Sequence, residues 1–140
     1  MTDLDRLVIE QACIRLMTRY CYLVDAYDHA ALVQLWAEDG VWVGMKGPMH
    51  GHAEMLKYLD AKTVALGRHY ISNMIVTVID ADHAEGGAYF NFYTAPGHKG
   101  DGPAPAAAPA VSGRYTDRFV RTPAGWRFAH KAIAIEFKVT

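Results

Sequence analysis

Cysteine is scarce in this chain: two in 140 residues, Cys13 and Cys21. The apolar periodicity around them is helical. Eight residues of helix separate two side chains by roughly 12 Å along the axis, which excludes a disulfide between them. They read as small buried apolar residues of a reducing compartment. A run of lysine and arginine is missing, as is any basic stripe, which argues against nucleic acid as a partner. No apolar run approaches the length of a membrane span. The opening MTDLDRL is acidic and amphipathic, unlike a secretory signal. A cytoplasmic protein is the expectation. No glycine-rich phosphate loop and no nucleophile elbow occurs. His50 and His52 form an H-x-H, but no third ligand stands at a usable spacing, so neither a metal site nor a cofactor is expected. Internal repeats and breaks in composition are also missing, so residues 1–140 are read as one domain.

What remains is an ordinary globular composition. Hydrophobic residues make up 51% and charged residues 21%, with a net charge of −1. The spacing predicts a first helix from Thr2 or Asp3 to about Tyr27, with a wide apolar arc and with Arg15 and Arg19 on the wet side. Asp28 is the natural cap of a second, short helix over His29–Ala37, with Leu32, Leu35 and Trp36 inward. A strand over Val41–Gly44 and a turn-rich connection over Gly44–Gly51 follow. His52 to about Leu66 reads as a third helix with Met55, Leu56, Leu59 and Val64 on its apolar side, stopped by Gly67.

The period then changes from 3.6 to 2. Arg68–Ile79, Ala84–Thr94, Ala110–Arg121 and Trp126–Val139 read as four strands. Within the second of these, Ala88, Phe90 and Phe92 share one face, and Tyr89, Asn91 and Tyr93 the other. Thr122-Pro123-Ala124-Gly125 is a turn. Ala95–Pro109 is rich in Gly, Pro and Ala and offers nothing to bury. It reads as a long hairpin loop, either a lid or a plain solvated excursion. Three helices followed by a four-stranded antiparallel meander give an α+β fold, the helices lying on one face of a curved sheet.

One residue does not fit its surroundings. Asp25 shares a narrow sector of the helical wheel with Leu7, Ile14, Thr18 and Cys21. A carboxylate there is costly to desolvate unless something pairs with it. The candidate partner is His69, which opens the strand after the third helix. An Asp–His pair fixes the imidazole tautomer and raises the basicity of its free nitrogen, the arrangement of a general base. The plainer alternative is a satisfied core histidine and an aspartate capping a backbone amide. Lys131 is the third candidate. On its strand it shares a face with Ala129, Ile133, Ile135 and Phe137, where a lysine either snorkels outward or supplies positive charge to a cavity, snorkelling being the favoured expectation. Tyr20, Trp42, Phe90, Phe92 and Tyr115 either line a pocket or are plain core.

Taken together, the helix with Y-x4-D (Tyr20, Asp25), the segment LWAEDGVW, the strand opening RHYISN and the closing RYTDRFVRTPAGWRFAHK resemble the SnoaL-like branch of the NTF2-like superfamily. The likeness runs over nearly the whole chain. Within that branch the chain resembles hexachlorocyclohexane dehydrochlorinase, scytalone dehydratase and bile-acid 7α-dehydratase. The resemblance implies a cone of three helices packed on a curved, mainly antiparallel sheet that encloses a hydrophobic pocket. It implies a catalytic pair at Asp25 and His69, a cation at Lys131 that helps a departing anion, and a tyrosine at Tyr20. It implies a pocket face of Phe90, Phe92, Val111, Gly113, Ile133 and Ile135, to which Trp42 and Tyr115 are added as aromatic neighbours. The second active-site histidine of scytalone dehydratase has no counterpart in this sequence. The implied activity is cofactor-independent elimination or isomerisation on a small hydrophobic ring or polycyclic compound. A non-catalytic ligand-binding or assembly module, such as the small subunit of a ring-hydroxylating dioxygenase, and an epoxide hydrolase or polyketide cyclase are the alternatives. Tyr70, Met74, Tyr89 and Tyr93, on the outer sheet face, are the expected surface of a homodimer or homotrimer.

Overall fold

The computed structural model describes residues 1–106 and 108–139. Helix α1 spans Asp3–Asp25, α2 His29–Val33 and α3 Gly51–Asp60. The strands are β1 (Trp36–Gly44), β2 (Gly47–His50), β3 (Leu66–Val78), β4 (His83–Ala95), β5 (Val111–Thr122) and β6 (Gly125–Lys138). They form one six-stranded sheet in the order β2-β1-β6-β5-β4-β3. The β3–β6 meander is antiparallel, as its turns require, whereas β1 joins β6 in parallel. The fold is α+β, helices followed by a curved, mixed, open sheet.

Local chemistry accounts for the element starts. Thr2 and Asp5 make a reciprocal capping box that satisfies the first amides of α1. Asp28 accepts from the Ala31 amide and caps α2. Ile9, Cys13, Leu16, Met17, Tyr20 and Cys21 bury one side of α1 against the sheet, with Met55 and Leu59 of α3 and Trp36 and Phe128 beneath. The two cysteines are free and buried. Among the described residues no helix is long and apolar enough to cross a membrane.

Four expectations need correction. Helix α2 ends at Val33, and Trp36 opens β1 instead of continuing the helix. A helix over LWAEDG would end on Gly40, whereas a strand pairs Trp36 with Phe128 of β6. The connection Gly44–Gly51 contains a strand, β2, paired to β1 from Val41↔His50 to Gly44↔Gly47. Helix α3 stops at Asp60, and Val64 is exposed. Gly67 is no helix stop but an inner position of β3, where a Cβ would sit 2.9 Å from the Phe92 ring. The meander is therefore part of six strands rather than the whole sheet.

Alternation along the strands is interrupted by bulges. Ser72 pairs with Tyr89 but Ile75 pairs with Gly87, so two residues of β3 face one of β4. Asn73 takes the left-handed backbone that such a bulge demands, at φ 54°. His69 and Ile71 consequently face inward before the bulge, and Val76 and Val78 after it, while Ile75 and Ile79 are exposed. A second bulge sets Phe119↔Phe128 beside Arg118↔His130, leaving Ala129 extra. Phe128 and Lys131 are thereby both buried. A third places Gly113 opposite Ile135 and Ser112 opposite Phe137, and Phe137 is exposed rather than on the inner face of Lys131. Residues 96–110 connect β4 to β5, of which Ala107 lies outside the described residues, as does Thr140.

Candidate functional site

Asp25 is the last residue of α1, and β3 passes directly beneath it. The backbone N–H of His69 donates to Asp25 Oδ2 at 2.9 Å, and the ring Nδ1 lies 2.5 Å from Oδ1. One residue of β3 thus engages both carboxylate oxygens. An ionised carboxylate only accepts, so Nδ1 carries the hydrogen, and in the neutral imidazole Nε2 keeps its lone pair. The side chains are 16% exposed at His69 and 9% at Asp25. Phe92 lies against the imidazole with ring centroids 4.4 Å apart, and Tyr20 meets it edge-on at 6.1 Å.

Two clefts meet at this pair. The larger, about 480 Å³, is lined by Cys21, Tyr22, Asp25, Arg68, His69 and Tyr70. The smaller, about 80 Å³, lies on the other flank between Asp25, His69, Phe92, Tyr27, Leu59 and Lys62. Its rim is braced by Tyr27, whose hydroxyl accepts from the Ala65 amide at 2.8 Å and donates to the Ala65 carbonyl at 3.1 Å. His29 joins that rim through Asp60, with Nδ1 2.8 Å from Oδ1.

Tyr20 carries the architecture inward from His69. It packs edge-on against Trp36, Trp42 and Tyr115, all within 6.0 Å between centroids. Burial pushes its phenol well above the usual tyrosine range, so it stays neutral and able to donate. Beyond it stands Lys131, which is fully buried. The expectation that Lys131 snorkels outward is therefore corrected. Its neighbour in register on β5 is Asp117, equally buried, and Nζ lies 3.3 Å from each carboxylate oxygen. The ammonium also sits 3.7 Å from the Tyr115 ring centroid and 4.5 Å from that of Tyr20. Removal from water drives both groups toward neutrality, Asp117 upward and Lys131 downward, and their mutual attraction opposes this.

Of the remaining residues assigned to a pocket, Phe92 lines the smaller cleft. Trp42, Phe90 and Tyr115 are buried in the core, Phe90 stacked on Tyr115 at 4.5 Å, and fill the space between α1 and the sheet. Val111, Ile133 and Ile135 are partly buried against them, and Gly113 is held close to the Ala134 carbonyl. The residue that sequence reasoning missed is Asp117. Its signal was present: Gly113, Tyr115, Asp117 and Phe119 alternate along one face of β5. His52 Nε2 lies 2.9 Å from the Trp36 carbonyl, which occupies it structurally. Among the described residues no group of three or more His, Cys, Asp or Glu side chains is placed to hold a metal ion.

This fold and this pair can be set beside known proteins. The family model described as SnoaL-like domain matches residues 5–132, which is most of the chain. None of the curated proteins matches. Among solved structures, the chain is similar to a protein provisionally identified as an aromatic ring hydroxylase from Novosphingobium aromaticivorans. The identity is 25%, the TM-score 0.76, and the match covers 96% of this chain and 93% of that one. A protein provisionally identified as a scytalone dehydratase from the same organism shares 21% identity at TM-score 0.79, covering 98% and 89%. The hexachlorocyclohexane dehydrochlorinase LinA-type3 from Novosphingobium barchaimii shares 19% at TM-score 0.78, covering 99% and 93%. The latter two likenesses speak to the fold alone. The chain belongs to the SnoaL-like domain family, with the NTF2-like fold.

Proposed function

We propose that this SnoaL-like domain is a cofactor-independent lyase, or an isomerase, acting on a small hydrophobic ring or polycyclic compound. One observation carries the reading: Asp25 holds both the ring and the backbone of His69, fixing the tautomer that leaves Nε2 basic. In an elimination, Nε2 takes a proton from carbon. The C–H electron pair becomes the new double bond, and the leaving group departs from the adjacent carbon with its own bonding pair. Asp25 stabilises the imidazolium that forms. Tyr20, kept neutral by burial and lining neither cleft, meets the imidazole edge-on, and we assign it a positioning role for His69 rather than contact with the leaving group. Lys131 adds positive charge behind Tyr20. Its ammonium already faces Asp117, so we assign it a positioning role through Tyr20 rather than contact with the leaving group. The substrate enters at the clefts that flank the pair, against Phe92. The reading places the protein in the cytoplasm, in keeping with its two free cysteines.

The substrate panel that tests this holds halogenated, hydroxylated and steroidal rings, each assayed for release of halide or water or for double-bond migration. Conversion of at least one class by the wild type, lost in His69→Ala, supports the reading. No conversion of any class by well-folded protein counts against it.

A second reading has its own support. The interior between α1 and the sheet is filled by Trp42, Phe90 and Tyr115, and Asp25 ties down a backbone amide as well as a ring. On that reading the pair is a staple between α1 and β3, and the domain is a binding or assembly module. Co-purification with a large iron-containing partner, together with an inert substrate panel, is the outcome that favours it.

A further inference from the structure

A third cleft lies elsewhere on the molecule and shares no lining residue with the two at Asp25 and His69. It measures about 520 Å³ and opens between α1, α2 and the start of β6. That volume is ordinary for a small-molecule site. Leu16 and Leu35 are buried at its floor, and half-buried Trp126 stands beside them. Its polar lining is unusual in sign. Arg15, Arg19 and Arg127 all border it, together with the Gln34 amide, and no carboxylate does.

These arginines are not spent on internal ion pairs. Among the described residues none of the three meets an Asp or Glu, and the arginine that does pair, Arg121 with Asp82, is a different one. Arg15 and Arg19 stand four residues apart on α1, a like-charge spacing that is mildly unfavourable to a helix by itself. Arg127 adds a third cation from β6, and its Nη1 donates to the Trp126 carbonyl at 2.8 Å, which restrains it beside the indole. A chain whose net charge is −1 therefore gathers three unpaired guanidiniums around one apolar floor. Guanidinium forks match carboxylate and phosphate geometry, and an indole face suits a flat apolar body.

We propose that this cleft binds a small oxyanion-bearing molecule, a carboxylate or phosphate ester with a flat apolar body. Arg15, Arg19 and Arg127 hold the anion, and the body lies on Trp126 and Leu35. The site is independent of whether Asp25 and His69 are catalytic.

The test is an NMR titration of the full chain with phenyl phosphate, benzoate, inorganic phosphate and benzyl alcohol. The Trp126 indole signal and the Nε signals of the three arginines shift saturably with phenyl phosphate or benzoate. They do not shift with benzyl alcohol, and the His69 ring signals stay in place. The tighter of the two aryl anions identifies the headgroup. The double variant Arg15→Gln/Arg19→Gln, checked for its fold by the same spectra, binds about tenfold or more weakly. The proposal is overturned by any of three results. These are no saturable shift with either aryl anion, inorganic phosphate binding as tightly as phenyl phosphate, or wild-type affinity in the double variant.

Discussion

For single residues, the question is which nitrogen of His69 carries a proton. Capture of Nδ1–H by Asp25 predicts that ¹⁵N spectra of the neutral imidazole show an unprotonated Nε2, and that Asp25→Asn scrambles this preference. Tyr115 makes a separate point. Its hydroxyl is buried without a hydrogen-bond partner, and desolvation holds its ionisation well above the usual range. Tyr115→Phe removes an unsatisfied polar atom and keeps the ring stacked on Phe90, so the melting temperature is expected to hold or rise. Burial pushes the Cys13 thiol up to about 12 and the Cys21 thiol up to about 11. Both therefore stay protonated at neutral pH, and Cys13, which is fully buried, is labelled by a thiol-specific reagent only as fast as the protein unfolds.

Among the elements, the pairing of β5 with β6 is the most exacting. It buries Asp117 and Lys131 side by side. The raised carboxyl contributes stability at acid pH that is lost as pH rises through its folded value. The lowered amine contributes stability at alkaline pH that is lost as pH falls through its folded value. Where both groups are charged, the pair depends on its own attraction. Asp117→Ala, which strands Lys131, is expected to cost about 3–5 kcal/mol in chemical denaturation, whereas Asp117→Leu with Lys131→Met is expected to be neutral or stabilising by about 1–4 kcal/mol. If Lys131 acts through Tyr20, that stable double variant still loses turnover. Gly113 is equally constrained, because a Cβ there would stand 2.0 Å from the Ala134 carbonyl oxygen. Gly113→Ala is expected to destabilise by about 1–3 kcal/mol. Bulges explain what alternation could not show. The inward faces of β4 and β5 follow strict alternation and were legible in the sequence. Those of β3 and β6 change face at Asn73, Ala129 and Glu136, where the register is set by the partner strand. Trp36 misled for a related reason: its apolar spacing suits a helix as well as a strand, and only the contact with β6 decides.

Across the whole molecule, the order of helices and the meander followed from the change of hydrophobic period, and the Asp25–His69 contact followed from an aspartate out of place on an apolar face. The strand over Val41–Gly44 was legible, but its earlier start at Trp36 and its parallel pairing with β6 were not, because a partner far along the chain leaves no local signal, and β2 was hidden by a Gly47-Pro48 that reads as a turn. The filled interior escaped notice because side-chain spacing says which residues face inward and not whether space remains between them. The outer sheet face presents exposed Tyr70, Met74 and Tyr89, with Tyr93 set edge-on to Tyr70 at 5.7 Å. An aromatic surface of this kind favours self-association. We expect light scattering to give two or three times the 15.5 kDa chain mass, and Tyr70→Glu with Tyr89→Glu to return it to a monomer.

The central claim is that His69 is a base oriented by Asp25, and it meets its most direct test in turnover. On a substrate that the wild type converts, His69→Ala and Asp25→Asn should each lower turnover by about 10²–10⁴-fold while the far-ultraviolet spectrum and melting cooperativity are retained. Near-full turnover in either folded variant would contradict the account.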